Sequence, residues 1–180
     1  GGDVGFSAAS LGLLTSVYFI SFASFQLPLG LLLDRFGPRR TESVLLIFAA
    51  LGALIFSMAE SLSGLILGRL LIGFGVSACL MASFKAYVLW FPPDRLPLMN
   101  GLQMVAGGLG AMSATVPLRT ALEFTDWRGV FLILSGLTLF SALVLWLVYP
   151  EKEGSAGPVP MKKQLEGLKT VLTSRPFLAI

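Results

Sequence analysis

The sequence feature that most limits the possible folds is a stretch of thirty residues without a charged side chain, from Val4 to Leu33. Because about 20 apolar residues cross the hydrocarbon core of a bilayer, this stretch predicts a membrane-spanning helix. Gly37 and Pro38 follow it and predict the helix end, since glycine accepts a left-handed cap and proline does not continue a helix. Another apolar segment begins at Ser43. The sequence therefore predicts two spanning helices joined by a very short turn.

The composition favours a membrane protein over a water-soluble one. Of the 180 residues, 55% are hydrophobic and 13% are charged, whereas soluble domains carry about 25% charged residues. The net charge of +3 therefore reports membrane orientation and not affinity for nucleic acid. Cys79 is the single cysteine and histidine is absent, so we expect no disulfide within the chain, no metal site and no cofactor. The apolar segments also lack paired carboxylates, which argues against an enzyme and leaves no catalytic residue.

Hydropathy and turn residues divide the chain into five predicted membrane spans and a polar end. The spans are residues 8–33, 43–59, 62–91, 98–118 and 127–149. The predicted fold is an all-α membrane protein with residues 1–150 as its transmembrane region. Residues 151–176 are predicted to form a loop with an amphipathic surface helix over Met161–Leu172, and residues 177–180 begin the next span. We expect the chain to be a fragment.

The distribution of lysine and arginine predicts the orientation. Alternating spans place nine cationic side chains on one side: Arg35, Arg39, Arg40, Arg95, Lys152, Lys162, Lys163, Lys169 and Arg175. The other side holds Arg119 and Arg128. Since cytoplasmic loops carry the excess of positive charge, the first side is predicted to face the cytoplasm. The expected location is a multi-pass protein of the plasma (inner) membrane.

The turn between the first two spans carries a motif, Gly-x-x-x-Asp-Arg-x-Gly-x-Arg-Arg. It resembles the loop signature between the second and third helices of the major facilitator superfamily. The matching residues are Gly30, Asp34, Arg35, Gly37, Arg39 and Arg40. The resemblance implies that these residues and Asp94 form a cytoplasmic gate, with Gly30 at the contact between the two halves of a transporter. The alternative is a short cytoplasmic turn that only attracts arginines.

Arg69 lies inside the third predicted span, where an arginine costs about 2.5–3.5 kcal/mol on insertion scales. No acidic residue falls within a predicted span, so its partner must be carbonyls, water, another helix or an anionic ligand. Arg69 with Gly73 and Gly75 resembles the fourth-helix signature of the same superfamily, which implies a cavity-lining arginine. The predicted substrate-binding residues are Arg69, Tyr18 and Gln26. The alternative role for Arg69 is to hold two helices together.

The resemblance extends over the whole chain, which corresponds to helices two to six of the family's twelve, and it implies a partial six-helix bundle. Trp127-Arg128-x-Val130-Phe131 looks like the usual opening of the sixth helix. Gly73, Gly75, Gly107 and Gly108 are predicted helix-packing positions, because small residues let helices approach closely in lipid. One departure is that the fifth helix lacks the Gly-Pro pair typical of the family's exporters, since Pro117 comes too late. This departure weakens an antiporter or drug-efflux interpretation.

The resemblance implies a secondary active transporter, a symporter or uniporter, that moves a small solute such as an organic anion by alternating access. Its expected partners are that small-molecule substrate, a proton or other coupling ion, the lipid bilayer, and the first helix and C-terminal half of the same protein. No nucleic acid is expected. The alternative is a non-transporting membrane receptor or scaffold that keeps the same helices.

Two further expectations concern charges near the cytoplasmic side. Asp34 lies at a helix end, where the unpaired carbonyls make a carboxylate unfavourable unless a cation compensates it. The cations expected to do so are Arg35, Arg39, Arg40 and Arg95. Asp94 is expected to accept hydrogen bonds from Arg39 or Arg40, which would link the two turns in one charge cluster. Lys85 is expected to extend its amino group towards the membrane surface.

Overall fold

A computed structural model describes residues 8–150, apart from the side chains of residues 27 and 116, and their regular structure is helical throughout. The helices are α1 (Ala8–Met58), α2 (Leu62–Val76), α3 (Cys79–Trp90), α4 (Leu96–Ser113), α5 (Val116–Phe124) and α6 (Trp127–Val148), with a 3₁₀ turn at Pro93–Arg95. The predicted all-α membrane fold is confirmed. The predictions for residues 151–176 and 177–180 lie outside the described residues.

Gly37 divides α1 into two arms that fold back on each other. Its backbone has φ 75° and ψ 168°, a region open essentially to glycine alone. The turn is therefore sharp, although it is not the left-handed helical cap that the sequence predicted, for which ψ is about 47°. The first arm (residues 8–36) and the second arm (residues 38–58) are antiparallel, because Phe25 and Phe48, at nearly equal distances from Gly37, both pack against Phe74. The Thr41 hydroxyl donates to the Leu32 carbonyl at 3.2 Å across the turn.

α2 lies against both arms and approaches them through glycine. A Cβ on Gly68 would lie 2.8 Å from the Phe56 Cβ, and a Cβ on Gly52 would lie 2.7 Å from the Leu71 Cβ. Side chains on Gly73 or Gly75 would collide with the backbone of Tyr18 or of Ala49. The packing predicted for Gly73 and Gly75 thus has a physical basis in contacts with the two arms.

α6 lies antiparallel to the second arm. Arg128 donates to the Ser57 carbonyl at 2.9 Å, and Ser135 donates to the Ala50 carbonyl at 2.7 Å. Further along, Arg39 donates to the Trp146 carbonyl. Each step forward along α6 is matched by an equal step back along the second arm. These hydrogen bonds fix the register of the two helices over almost the full length of α6.

The fourth predicted span, residues 98–118, is not a continuous helix. α4 ends at Ser113 and α5 begins after Thr115, because the ring of Pro117 would clash with the Ser113 carbonyl in an unbroken helix. Four segments of the described chain are long and apolar enough to cross a membrane: Ala8–Gln26, Pro28–Met58, Leu62–Trp90 and Trp127–Val148. α4 and α5, which together cover the fourth predicted span, are not among these four segments.

The chain nevertheless runs from one end of the bundle to the other between α3 and α6. Trp90 lies 6.1 Å from Tyr149, at the end that also carries Asp34 (the Asp34 end). Trp127 lies 5.7 Å from Phe56, at the end that carries Glu60 (the Glu60 end). Residues 91–126 therefore connect opposite ends, as the predicted topology requires.

α4 makes few contacts with the rest of the described chain. A Cβ on Gly107 or Gly108 would meet nothing within 4 Å, so the packing predicted for these two glycines is not found within residues 8–150. Tyr87 of α3 donates to the Gln103 side chain of α4 at 2.6 Å. That hydrogen bond is the polar contact that holds α4 to α3.

We predict that Gly75→Ala destabilises the protein by about 1–3 kcal/mol, the usual cost of overpacking, because the added methyl meets the backbone of the second arm. Thermal unfolding in detergent measures the change. Gly136→Ala is the matched control, since a Cβ at Gly136 meets nothing within 4 Å. Equal melting temperatures for the two variants would contradict the close approach of α2 to the second arm.

Candidate functional site

Arg69 of α2 is enclosed by aromatic rings from two other elements. Its guanidinium carbon lies 4.8 Å from the ring centre of Phe56 on the second arm and 5.5 Å from that of Phe131 on α6. The two rings are 4.3 Å apart. The Tyr18 side chain of the first arm is within electrostatic range of Arg69. The guanidinium therefore lies where the two arms, α2 and α6 meet.

The polar atoms of Arg69 are not fully satisfied. Its Nε is buried and has no hydrogen-bond partner among the described residues. A buried N–H without an acceptor costs about 1–3 kcal/mol, and more when the group is charged. The cation–π contacts offset part of the cost of removing the charge from water, but a ring face does not accept the in-plane N–H groups of a guanidinium. The arrangement lacks an oxygen acceptor for Nε.

Three other cations near the helix ends have such acceptors. Arg128 donates to the Ser57 carbonyl and lies over the Trp127 ring. Arg39 donates to the Trp146 carbonyl and lies over the ring of the same residue. Lys85 is bound to a carboxylate and a carbonyl. Among these cations, Arg69 is the one left with a buried, unpartnered donor.

The charged group of Arg69 lies in the half of the bundle that ends at Glu60. It lies seven residues after Leu62, or about 10 Å along the axis, and helical side chains lean towards the N-terminus. Phe131 is only four residues, about 6 Å, from the start of α6. The sequence therefore predicts the depth of the Arg69 backbone, while the structure places the charged group in the half of the bundle towards Glu60.

The three predicted substrate-binding residues do not form one group. Tyr18 is within electrostatic range of Arg69, and its backbone packs against Gly73, one turn further along α2. Gln26 is about 12 Å further along the first arm, where its amide donates to the Ser77 carbonyl at 3.3 Å. Ser77 lies in the break between α2 and α3, so Gln26 satisfies a carbonyl that the interrupted helix leaves open. The structure thus gives Gln26 a contact that supports the fold.

Asp34 is paired with Lys85 and not with the arginines of its own turn. Lys85 Nζ lies 2.6 Å from the Asp34 carboxylate and donates to the Leu33 carbonyl at 2.7 Å. The cation therefore neutralises Asp34 and also caps the end of the first arm, which is the compensation that the helix-end argument requires. The amino group of Lys85 thus extends to the Asp34 end of the bundle, and this pair (the Asp34–Lys85 pair) holds it against the first arm.

Among the described residues, Arg39 does not take the place expected for it in the charge cluster. Arg39 is turned towards α6, where it meets the Trp146 carbonyl and ring, and so it does not link Asp34 to Asp94. Arg35 lies over the neighbouring Phe36 ring at 5.3 Å. The remaining gate positions Gly30, Arg40 and Asp94 are exposed, and Gly37 is buried in the turn.

Sequence reasoning missed several residues that the structure brings to these sites. Phe56 and Phe131 surround Arg69, but a phenylalanine in an apolar segment carries no signal that separates it from an ordinary lipid-facing residue. For Lys85, the sequence carries no signal of its pairing with Asp34. Its spacing from Asp34 along the chain is 51 residues, which only the hairpin and the crossing of α3 bring together.

Comparison with known proteins gives a consistent family. A sequence profile of the Major Facilitator Superfamily matches residues 1–180. The chain is similar to the "Uncharacterized transporter YybO" of Bacillus subtilis, with 29% identity over 82% of the chain and 34% of the relative. It is also similar to the "Nitrate/nitrite transporter NrtP" of Picosynechococcus, with 37% identity over 61% of the chain and 20% of the relative.

A third relative is the "Probable L-galactonate transporter" of Escherichia coli, with 27% identity over 84% of the chain and 33% of the relative. The chain thus spans 20–34% of the length of these three relatives. All three relatives are described as transporters, and the names of the second and third include different solutes.

We predict that a double-mutant cycle on Asp34→Asn and Lys85→Gln gives a coupling free energy of about 1 kcal/mol, the upper range for a partly exposed ion pair. The side chains are 54% and 24% exposed, so solvent weakens the pair. Equilibrium unfolding of the four proteins in detergent measures the coupling. The matched cycle with Arg35→Gln should give a value near zero. A larger coupling for Arg35 than for Lys85 would show that Asp34 has another partner.

Proposed function

Because this chain belongs to the Major Facilitator Superfamily, we propose that it forms part of a secondary active transporter that carries a small anion across the membrane by alternating access. Arg69 is the proposed anion-binding group, with Tyr18 beside it. The family and the apolar helices make the chain an integral, multi-pass membrane protein. The anion, the direction of transport and the role of Arg69 belong to the proposal.

The observation that carries the proposal is the unpartnered, buried Nε of Arg69. A carboxylate, nitrate or similar oxyanion accepts two parallel hydrogen bonds from the edge of a guanidinium. Phe56 and Phe131 contact Arg69 through their rings, and such contacts leave the in-plane N–H edge for a ligand. An anion would therefore supply the missing acceptor and neutralise a charge that is costly within a membrane.

The names of the relatives support an anionic substrate. Nitrate and nitrite are named for the Picosynechococcus relative and L-galactonate for the Escherichia coli relative, and each of these solutes is an anion. A cation on a membrane helix suits such solutes, because the charge is felt strongly where water is scarce. The shared property is negative charge, and the size and shape of the substrate are left open.

The proposed mechanism uses the two ends of the bundle differently. Arg69 and Tyr18 would hold the anion near the Glu60 end, while the Asp34–Lys85 pair would fasten the first arm to α3 at the other end. We propose that the Asp34 end faces the cytoplasm, because Arg35, Arg39, Arg40 and Arg95 gather there. Rocking of the bundle against the rest of the transporter would then expose the site to each side in turn, with the residues predicted for the cytoplasmic gate at the closing surface.

A second candidate role for Arg69 also has an observation behind it. The rings of Phe56 and Phe131 belong to two different elements, so a guanidinium in contact with both ties α2 to the second arm and to α6. In this role, Arg69 holds helices together and meets no substrate. This is the role that it would have in a receptor or scaffold that does not transport.

We predict that Arg69→Gln in the complete transporter that contains this chain, reconstituted in liposomes, lowers kcat/KM for uptake of its anion about 10- to 150-fold, because a hydrogen bond to a charged group contributes about 1.5–3 kcal/mol. Uptake of radiolabelled nitrate and of a sugar acid measures the effect. Arg69→Lys should recover part of the activity, since it restores the charge without the two-pronged geometry. Arg119→Gln, a matched change at an exposed arginine of α5, should leave uptake unchanged.

The same variants separate the two roles. A lower melting temperature of Arg69→Gln with an unchanged KM for the anion would favour the structural role. Failure of the unaltered protein to take up any anion, together with no change of its melting temperature in the presence of anions, would contradict the transporter proposal itself.

A further inference from the structure

A cleft opens at the Asp34 end on a face of the bundle away from Arg69. It has a volume of about 410 Å³, within the range of 300–1,000 Å³ usual for ligand sites. Both arms, α2 and α6 contribute to its walls. The residues that matter for its chemistry are Phe25, Phe36, Arg40, Phe48, Phe74 and Trp146.

The floor and walls of this Phe-lined cleft are aromatic. Phe74 of α2 lies at 4.3 Å from Phe25 and at 5.4 Å from Phe48, measured between ring centres. Phe36 and Trp146 are 41% and 43% exposed, so large apolar surfaces are open to whatever fills the cleft. Because polar atoms are almost absent from the walls, the occupant of the deeper part must be a hydrocarbon group.

The depth of the cleft matches one leaflet of a bilayer. Phe25 is twelve residues before the turn at Gly37, and Phe48 is eleven residues after it. At 1.5 Å per residue, the cleft reaches about 16–18 Å from the turn. Half of a hydrocarbon core about 30 Å thick is about 15 Å. A single acyl chain that enters from the Asp34 end would therefore end near Phe74.

The mouth of the cleft is cationic. Arg40 is exposed and belongs to the lining. Arg35 lies over Phe36, a wall residue, at 5.3 Å from its ring centre. Arg39 has a different task, because its contact with the carbonyl and ring of Trp146 holds that wall in place. The Asp34 end of the apolar cleft is thus bordered by two arginines, Arg40 through the stem that lines the wall and Arg35 through its contact with Phe36.

We propose that the Phe-lined cleft binds an anionic phospholipid of the leaflet at the Asp34 end, with one acyl chain against Phe74 and the phosphate near Arg35 and Arg40. Basic pockets between membrane helices on the cytoplasmic side suit anionic headgroups, and that leaflet carries the anionic lipids. An apolar polypeptide segment would fill the apolar part of the cleft but would bring no negative charge to the arginines at its mouth. Charge complementarity therefore favours an anionic lipid. The proposal does not depend on what Arg69 binds.

The test uses Trp146 as a reporter, because this side chain forms a wall of the cleft. The full chain, with Trp146 as its sole tryptophan, is reconstituted in an equal mixture of phosphatidylcholine and phosphatidylglycerol. In one sample the phosphatidylcholine carries brominated acyl chains, and in the other the phosphatidylglycerol does. Bromine quenches a tryptophan only at close range, and the membrane charge is the same in both samples. We expect stronger quenching by brominated phosphatidylglycerol.

The arginine variants link that preference to the mouth of the cleft. Arg40→Gln and Arg35→Gln should each reduce the preference for phosphatidylglycerol roughly fivefold, as expected for one basic residue near an anionic surface. Arg95→Gln is the matched control at the same end and should leave the preference unchanged. If the variant with Trp146 as its sole tryptophan does not fold, Phe48→Trp with Trp146→Phe places the reporter on the opposite wall.

Three results would overturn the proposal. Equal quenching by the two brominated lipids means that lipid enters the cleft without regard to its headgroup. Absence of quenching by either lipid means that a protein segment fills the cleft. An unchanged preference in both Arg35→Gln and Arg40→Gln would equally contradict the assigned phosphate site.

Discussion

The fold depends on the close approach of α2 to the two arms of α1. In a membrane, burial of apolar surface gives helices little reason to associate, because lipid is as apolar as the helix surface. Association rests on van der Waals contact at short range, which requires small residues at the contact. Gly52, Gly68, Gly73 and Gly75 supply it, since a Cβ at any of them would collide with the facing helix. The positions of Arg69 beside Tyr18 and of Phe74 between Phe25 and Phe48 follow from that contact.

Once the helices are this close, the charged side chains must find partners inside the bundle. Lys85 reaches a carboxylate and a carbonyl of the first arm, and Arg39 and Arg128 each reach a carbonyl and an indole ring. These contacts fasten α3 and α6 to the arms. Arg69 differs because its charge meets ring faces while its Nε is buried without an acceptor. Lys85, Arg39 and Arg128 therefore complete the fold, whereas we propose that the partner of Arg69 is a ligand.

Much of the architecture could be predicted from the sequence, because apolar length and turn chemistry are local properties. The hairpin at Gly37 and the helices that begin at Leu62 and Trp127 agree with the predictions. The break before Pro117 was not predicted. The prediction of a span over residues 98–118 used their total apolar length and left out the clash between the Pro117 ring and the Ser113 carbonyl.

The residues around the candidate site were harder to predict, because their partners are distant along the chain. Asp34 was correctly expected to need a cation, but the choice among nearby cations depended on where α3 crosses the first arm. The arginines of the same turn were chosen because they are close in sequence, whereas Lys85 is close in space. Similarly, Gln26 was read as a substrate ligand because it is polar in an apolar segment. The open carbonyl of Ser77 that it satisfies exists only because α2 and α3 are separate helices.

The central claim is that the missing acceptor of Arg69 is a transported anion. The most direct measurement is a cryo-EM structure of the full chain with such an anion bound. The account predicts an oxygen atom of the anion at about 2.7–3.2 Å from a guanidinium nitrogen of Arg69, with Phe56 and Phe131 still in contact with that guanidinium. An anion bound elsewhere, with Arg69 Nε hydrogen-bonded to another part of the protein, would contradict it.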